Sequence, residues 1–459
     1  MKTSVKHSAS SENQSEINSK NETDLGRREL VKALGAASIL STTALAANLS
    51  PFGLIRPAEA AKISRSDMAD AIKLGMGVHR SGVGASYGSW FERTANAAIN
   101  YINEKGGIAG RRVVLLAADD KTDPTTSAAL MTKFAREDNV DMMFGTLFSH
   151  VVAKCAERAT ELKLPYFPCG ETDIMHGNFS RYVFQPGVSS VRSQVKAVAP
   201  FLTKNIGKKV TVIYPDYAFG YEHRFILSDI LKPLGGRVIG EISIPLTATN
   251  FTSYFKGIPK NTDVIYHVMV GKNVLKFTQQ LGQFYGGKGP QLFGFIDSLE
   301  SVDIASPGLE FLDASFFWEA YPRYSVKLST SADRDYRRYV GIDANGADIN
   351  NSKKVAPVSH MFAIWESLFV IKQAIEKSGY QKPDAADKKK LIETIEAMTD
   401  FPLGIEHPQG EKLFIGKYHQ VFSSQYVSQV QSKKLNPIYV TPIKDSLYDS
   451  AIDFTKIDL

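Results

Sequence analysis

The chain has 459 residues, of which 43% are hydrophobic and 22% are charged, and its formal net charge is +6. This length allows a large buried core and predicts two or three domains in a globular protein. No cluster of Lys and Arg interleaved with aromatic residues occurs, so a nucleic-acid partner is not expected. Beyond the first sixty residues, no apolar run reaches the roughly 20 residues that span a bilayer.

Residues 1–60 have the pattern of an export signal. A polar stretch precedes Arg27 and Arg28, and a mildly apolar segment follows from Ala33 to Leu49. A small-residue cleavage pattern ends at Ala60. This combination resembles a twin-arginine signal peptide, so we expect export to the periplasm by the twin-arginine route and cleavage near Ala60.

Apolar runs of strand length alternate with helical patterns along the rest of the chain. The predicted strands are Ala71 to Val78, Val113 to Ala118, Val140 to Phe144, Leu164 to Pro168, Tyr182 to Gln185, Val210 to Tyr214, Arg237 to Ile244, Val264 to Val268, Gln291 to Phe295 and Phe316 to Tyr321. Strands that alternate with helices indicate parallel sheets in an α/β fold. Residues 413–430 alternate instead like an antiparallel hairpin.

The segment from Phe144 to Thr172 contains the best candidate for a binding site. It predicts a strand, a loop with Ser149, a helix, a second strand and a polar loop containing Glu171 and Thr172. In a parallel βαβ unit both loops face one crevice, where the helix start favours a bound anion and the hydroxyls donate hydrogen bonds. The alternative is that Ser149 and Thr172 are plain helix caps and that Glu171 is solvated.

A glycine-rich loop from His79 to Gly88 follows the first predicted strand. Its G-x-G-x-x-x-G spacing is a weak match to a dinucleotide-binding fingerprint. A turn that requires glycine for its backbone is the preferred interpretation.

No metal site, cofactor or catalytic constellation is predicted. The only two cysteines, Cys155 and Cys169, are expected to be buried free thiols because a chain exported in the folded state matures in the reducing cytosol. His360 and His407 have no partner near them in the sequence. We therefore expect that the protein is not an enzyme.

Six motifs occur in a characteristic order: SGVGASYG at 81–88, INEKGGIAGRRV at 102–113, DDKTDP at 119–124, FGTLFSH at 144–150, PDYAFG at 215–220 and HPQGEKLFIGKYHQ at 407–420. Together they resemble the periplasmic type I solute-binding proteins of ABC transporters, in the branch that includes leucine/isoleucine/valine-binding proteins and the amide and urea receptors. The resemblance covers roughly residues 70–440.

The resemblance implies an α/β protein with the two-lobe periplasmic-binding-protein type I fold, each lobe a parallel-sheet sandwich joined by hinge crossovers. Lobe 1 would comprise 70–190 and 322–400, and lobe 2 would comprise 191–321 and 401–459. Such a protein captures a branched-chain-like amino acid or a small amide- or urea-like solute between its lobes. It delivers this small-molecule ligand to an inner-membrane ABC permease, and we expect it to be a monomer.

The first lobe would supply four ligand-binding residues by this resemblance. Ser149 matches the donor that holds the ligand's carboxylate or amide oxygen. Gly170 and Thr172 match the loop that holds the amino end, and Tyr87 matches an aromatic wall.

The second lobe would supply Tyr217 or Phe219 as a cover, and Asp297 would face the ligand's ammonium group. Val270 departs from the amino-acid binders, which carry a polar aromatic residue there, and His150 after the serine leans toward the amide receptors. Both ligand classes therefore stay open.

Two other functions fit part of the sequence. An exported NAD(P)-dependent oxidoreductase would account for twin-arginine export and for the glycine-rich loop after a strand. A sensor of the same two-lobe fold would regulate a partner by ligand-dependent closure.

Overall fold

The computed structural model describes residues 70–173, 180–299, 302–324, 330–399, 401–410, 412–450 and 452–459. The predicted export signal at 1–60 lies outside the described residues. None of the described helices combines the length and the apolar character that a bilayer crossing requires.

The first sheet has four parallel strands in the order β2-β1-β3-β4. The strands are β1 (Ile72–Val78), β2 (Val113–Asp119), β3 (Met142–Phe144) and β4 (Tyr166–Phe167). Strand β3 is entirely apolar and strand β1 is apolar or glycine except at Lys73, because helices cover both faces of a parallel sheet.

The second sheet has seven strands in the order β15-β14-β9-β8-β7-β5-β6. The parallel part consists of β5 (Lys209–Pro215), β6 (Arg237–Ile244), β7 (Val264–His267), β8 (Gln291–Phe295) and β9 (Phe316–Glu319). Strands β14 (Tyr426–Gln431) and β15 (Lys434–Val440) are added antiparallel to β9 at one edge.

The helices follow the strands as the alternating pattern predicts. They are α1 (Ala85–Glu104), α2 (Pro124–Arg136), α3 (Ser149–Leu162), α4 (Val191–Asn205), α5 (Ala218–Leu231), α6 (Thr252–Phe255), α7 (Val274–Tyr285), α8 (Ser331–Val340), α9 (Val358–Ser378), α10 (Ala385–Glu396) and α11 (Ile443–Ser446). Capping hydrogen bonds and residue type determine where several of these helices begin or end. At α2, for example, Asp123 accepts a hydrogen bond from the Thr126 N–H and Pro124 occupies the first turn.

Helix α9 is buried on most of its surface and packs against α1 and α10. A helix that is apolar on nearly all sides belongs inside a core, and here it starts beside the loops that follow β4 and β8. It ends at Gly379, which adopts a left-handed conformation with φ of 67°.

Two short hairpins complete the described structure: β10 (Ala347–Asp348) pairs with β11 (Asn351–Val355), and β12 (Lys412–Ile415) pairs with β13 (Gln420–Ser423). The strand predicted from Tyr182 to Gln185 is wrong. Single bridges from Val183 to Tyr166 and from Gln185 to Gln420 replace it, since β4 is only two residues long and offers no longer edge.

All strands of the first sheet fall within 70–190, and those of the second fall within 191–321 and 401–459. The lobe bounds themselves stay a prediction.

Candidate functional site

A cavity of about 10 Å³ lies where strands of both sheets end. Its lining residues follow β1, β3, β4, β5, β7 and β8, and they are Tyr87, Leu147, Phe148, Ser149, Glu171, Tyr217, Phe219, Val270 and Asp297. In open α/β sheets, this carboxyl edge is where ligands bind. The volume is close to that of a single water site, so a larger molecule can enter only if the walls move apart.

Five of the seven residues predicted to bind a ligand line this cavity: Tyr87, Ser149, Tyr217, Phe219 and Asp297. Gly170 does not. It lets the backbone of Leu147 approach, because a Cβ at residue 170 would lie 1.9 Å from the Leu147 carbonyl oxygen. That contact sets the spacing between the loops after β3 and β4.

Thr172 is also absent from the lining, although it is next to Glu171 in the same loop. The side chain is 5% exposed, and its Oγ1 has no hydrogen-bond partner among the described residues. Burying a hydroxyl without a partner is costly, so this atom is chemically suited to a ligand. Ligand contact by Thr172, as by the six other residues, stays a prediction.

Aromatic rings form one wall of the cavity. Phe148 lies 6.0 Å from Tyr87 and 6.0 Å from Tyr217, and Tyr217 stacks on Phe219 at 6.0 Å between ring centroids. Burial raises the pKa of Tyr217 well above its ordinary value, and the carboxylates of Asp297 and Glu171 raise it further. The Tyr217 hydroxyl therefore keeps its proton and is available as a hydrogen-bond donor.

Helix α3 begins at Ser149, at the cavity. The preceding residue, Phe148, has an extended backbone and makes no side-chain cap. The first N–H groups of the helix thus lack the usual side-chain acceptor, and the positive end of the helix dipole lies beside the Ser149 hydroxyl. This corner of the cavity suits a carboxylate or a carbonyl oxygen.

Two buried acids, with a histidine beside them, form a part of the cavity that suits a cation instead of a carboxylate. Glu171 and Asp297 line the cavity and are 3% and 4% exposed. His360, in the first turn of α9, has Nε2 2.5 Å from Glu171 Oε1 and Nδ1 3.0 Å from Asp297 Oδ1. The interpretations of His360 as isolated and of Glu171 as solvated are therefore wrong, because folding brings together three residues that are far apart in sequence.

His150 lies behind the aromatic wall. Its ring is 5.3 Å from Tyr217 and 6.1 Å from Phe148. Burial lowers the pKa of His150, so the ring is neutral at neutral pH and acts as a packing group.

The glycine-rich loop packs against its own chain. A Cβ at Gly82 would lie 2.1 Å from the Lys121 carbonyl oxygen, and one at Gly88 would lie 2.0 Å from the His79 carbonyl oxygen. The glycines are needed for close approach of neighbouring loops, as the preferred sequence interpretation holds.

Cys155 and Cys169 are both buried free thiols, which confirms the sequence prediction. Burial raises the pKa of each thiol to about 12. In the described part of the chain, no group of three or more His, Cys, Asp or Glu residues is arranged to hold a metal ion.

Two α/β sheets whose carboxyl edges share one cavity define a two-lobe binding protein of the type I class. The chain belongs to the periplasmic binding protein family, whose model matches residues 71–434. This confirms the family resemblance seen in the sequence.

The chain is similar to the Leu/Ile/Val-binding protein homolog 8 of Brucella abortus, with 26% identity over 224 residues that cover 46% of this chain and 55% of the relative. It therefore spans about half the length of that curated relative. A shorter match to the Leu/Ile/Val-binding protein homolog 1 of the same organism has 33% identity over 86 residues, which are 19% of this chain and 23% of the relative.

Solved structures show the same fold. A solute-binding protein from R. palustris in complex with benzoate has a TM-score of 0.70 and 20% identity, and the match covers 83% of this chain and 99% of that one. A leucine-binding protein from Thermotoga maritima has a TM-score of 0.68 and 18% identity, and the match covers 82% of this chain and 100% of that one. The predicted two-lobe type I fold is thus confirmed.

Proposed function

We propose that this protein is the extracytoplasmic receptor of an ABC transporter and that it is not an enzyme. It captures a small solute between its two lobes and delivers it to an inner-membrane permease. The observation that carries this proposal is the cavity at the carboxyl ends of both sheets, lined by loops from each. Family membership supports the same conclusion.

An α-amino acid with a branched-chain-like side chain fits the chemistry of the cavity. The start of α3 with Ser149 would hold the carboxylate, and Glu171 and Asp297 would hold the ammonium group. Val270 and Phe219 would contact the side chain. A small amide or urea would use the same acceptors through its N–H groups.

The related structures bind different solutes. The R. palustris protein binds benzoate, whereas a protein from Streptococcus pneumoniae with a TM-score of 0.64 is in complex with isoleucine. A benzoate-like ligand would leave the two buried acids, Glu171 and Asp297, without a donor from the ligand. The acids therefore favour the amino-acid branch.

Dinucleotide binding is disfavoured by the glycine-rich loop. Backbone atoms of neighbouring segments fill the space beside Gly82 and Gly88, so the loop leaves no cradle for a pyrophosphate. We also propose that residues 1–60 direct export to the periplasm by the twin-arginine route and that the mature protein is a monomer.

The test is a thermal-shift screen of the purified exported protein after refolding without solute. The panel contains amino acids, short amides, urea, small carboxylates and NAD(P). A ligand at about a thousand times its dissociation constant adds roughly 4 kcal/mol to stability, which raises the melting temperature clearly. A response to one solute class is expected, and a response to NAD(P) alone would contradict the proposal.

A second experiment separates transport from sensing. Uptake of the radiolabelled solute is compared in cells with and without the gene for this protein. Uptake should be lost in cells that lack the gene. Unchanged uptake together with an altered transcriptional response would favour a ligand-sensing regulator.

A further inference from the structure

A second cavity lies at the edge of the first sheet that is opposite to the candidate site. It is formed by the ends of α2 and α3, the segments that precede β3 and β4, and the start of α10. We call it the amino-edge cavity, because the parallel strands β3 and β4 begin there. Its volume is about 290 Å³. This is close to the lower bound of roughly 300 Å³ for small-molecule sites, so a ligand can enter without movement of the walls.

Two cationic side chains line the amino-edge cavity without a bonded partner. Arg136 is the last residue of α2, and Lys388 lies near the start of α10. Neither side chain forms a hydrogen bond or an ion pair with a residue that the structure describes. Lys388 is partly buried, and a desolvated ammonium group without an acceptor is unfavourable. An anion in the cavity would supply the missing acceptor.

The acids that interact electrostatically with Lys388 are bound to other groups. Asp141 accepts hydrogen bonds from the Lys73 N–H at 2.8 Å and from the Tyr380 hydroxyl at 3.0 Å. Asp384 caps α10 through its side chain. Burial lowers the pKa of Lys388, and these two acids counteract only part of that effect. A bound anion would compensate the rest.

The lining also contains an acid and an apolar wall. The acid is Glu161, whose Oε2 lies 2.7 Å from Nη1 of Arg158, so its charge is already balanced. The apolar wall includes Val140, Leu162 and Leu164. The cavity therefore combines two uncompensated positive charges with a hydrophobic surface.

We propose that the amino-edge cavity is a second ligand-binding site, which takes a dianion with a small apolar group, such as a phosphate monoester or a dicarboxylate. Two negative charges match those of Arg136 and Lys388, and a planar guanidinium suits the paired oxygens of phosphate or carboxylate. The apolar group packs against the hydrophobic wall. This site shares no lining residue with the cavity at the carboxyl edge, so the inference is independent of the proposed receptor function.

The test is a calorimetric titration of the purified exported protein with phenyl phosphate, with phthalate and with benzyl alcohol, an uncharged molecule that has the same ring. One-to-one binding of a dianion with a Kd below about 1 mM is expected, and the tighter of the two identifies the head group. Benzyl alcohol should bind at least about tenfold more weakly. Absence of binding by both dianions at about 10 mM, or equal binding of benzyl alcohol, would overturn the proposal.

Variants of the two cations locate the site. Lys388→Gln and Arg136→Gln should each weaken binding of the dianion by about tenfold, because each removes a charged hydrogen-bond donor. The matched control is Lys389→Gln, which removes the same charge from the next residue of α10, where the side chain is 62% exposed and lies 3.9 Å from Glu393. Its affinity should stay within about twofold of wild type. An equal loss in the control would mean non-specific attraction and would overturn the site.

Two further variants have distinct expected results. Glu161→Gln removes the lining acid and should strengthen binding of the dianion by up to about fivefold, whereas weaker binding would contradict the proposed ligand charge. Ser149→Ala, at the other cavity, should leave the affinity for the dianion unchanged. Binding that is lost in Ser149→Ala and kept in Lys388→Gln would place the probe in the carboxyl-edge cavity and overturn the proposal.

Discussion

Nδ1 of His79 lies 2.7 Å from Oδ1 of Asp120, and both side chains are buried. On the other side of the ring, the Leu147 N–H donates to Nε2 at 3.3 Å. Nε2 is therefore the acceptor, and Nδ1 carries the hydrogen that Asp120 receives. The pair ties together the loops after β1, β2 and β3, and the last of these carries Ser149.

Removing this imidazole should destabilise the fold. His79→Ala leaves the buried N–H of Leu147 without its acceptor, and the buried carboxylate of Asp120 keeps only the Thr122 N–H as a donor to Oδ1. The expected loss is about 3 kcal/mol in urea unfolding. The matched control is Arg80→Ala, which breaks a pair with Glu92 in which the side chains are 43% and 28% exposed. That loss should stay below about 1 kcal/mol. A loss no larger than in the control would contradict the structural role of His79.

The Ser149 hydroxyl should matter for binding and little for stability. Ser149→Ala is expected to weaken binding of the solute found in the thermal-shift screen by about tenfold, because one hydrogen bond to a charged group is lost. The melting temperature of the empty protein should stay within about 1 °C of wild type. Ser331→Ala is the control, since Ser331 is also the first residue of a helix but is exposed. Unchanged affinity in Ser149→Ala, measured by titration calorimetry, would remove this residue from the site.

Most of the fold could be predicted from local pattern. Strands Arg237–Ile244 and Gln291–Phe295 have the predicted bounds, because turn residues end each run. The hairpin of β10 and β11 was missed since Asn351–Val355 is mostly exposed and has no apolar alternation. The pairing of β14 with β9 was missed because it joins strands that are distant in sequence.

The site was only partly predictable for the same reason. Ser149 and Tyr217 follow strands directly, so the carboxyl-edge rule finds them. His360 is surrounded in sequence by the apolar residues of α9 and resembles a core position. Its contacts with Glu171 and Asp297 depend on how three distant segments fold together, and no local spacing encodes them.

The buried hydroxyl of Thr172 predicts opposite effects on stability and binding. Thr172→Val keeps the shape and removes an oxygen that lacks a hydrogen-bond partner among the described residues, so stability should rise by about 1 kcal/mol. Affinity for the identified solute should fall about tenfold if this hydroxyl contacts the ligand as proposed.

The control for Thr172 is Thr211→Val. The Thr211 hydroxyl is buried and lies 2.7 Å from that of Thr262, so its removal should cost about 1 kcal/mol. Chemical denaturation of both variants measures the contrast. A loss of stability in Thr172→Val equal to that in Thr211→Val would show that Thr172 has a partner.

Glu222 on α5 should make stability depend on pH. Burial, helped by the carboxylates of Asp173 and Glu171, raises its pKa from 4.5 to about 8. The folded protein thus holds this proton more tightly than the unfolded chain. The resulting stabilisation is complete below pH 4.5 and is lost as the pH rises through about 8.

Glu222→Gln cannot ionise and should escape this loss. Relative to wild type, the variant should gain at least about 1 kcal/mol of unfolding free energy between pH 5 and pH 9, measured by urea denaturation. Glu161→Gln, an exposed change on α3, should follow the wild-type curve. Parallel curves for wild type and Glu222→Gln would contradict the raised pKa.

The buried ion pair between Lys412 and Glu366 gives the largest expected effect on stability. The two side chains are 1% and 0% exposed, and the Gln409 N–H donates to the other carboxylate oxygen of Glu366 at 2.9 Å. Lys412→Met leaves that carboxylate buried without its cation, and the expected cost is about 3–5 kcal/mol.

Adding Glu366→Leu to Lys412→Met should recover most of that loss, because the double variant no longer buries an unpaired charge. Recovery should be incomplete, since the Gln409 N–H then loses its acceptor. The control is Lys372→Met, whose carboxylate partners Glu376 and Glu406 are 38% and 32% exposed, and it should cost less than about 1 kcal/mol. The free energy of unfolding of the three variants is measured in guanidinium. If the double variant is as unstable as Lys412→Met, the cost comes from lost packing around Lys412 and not from the unpaired charge.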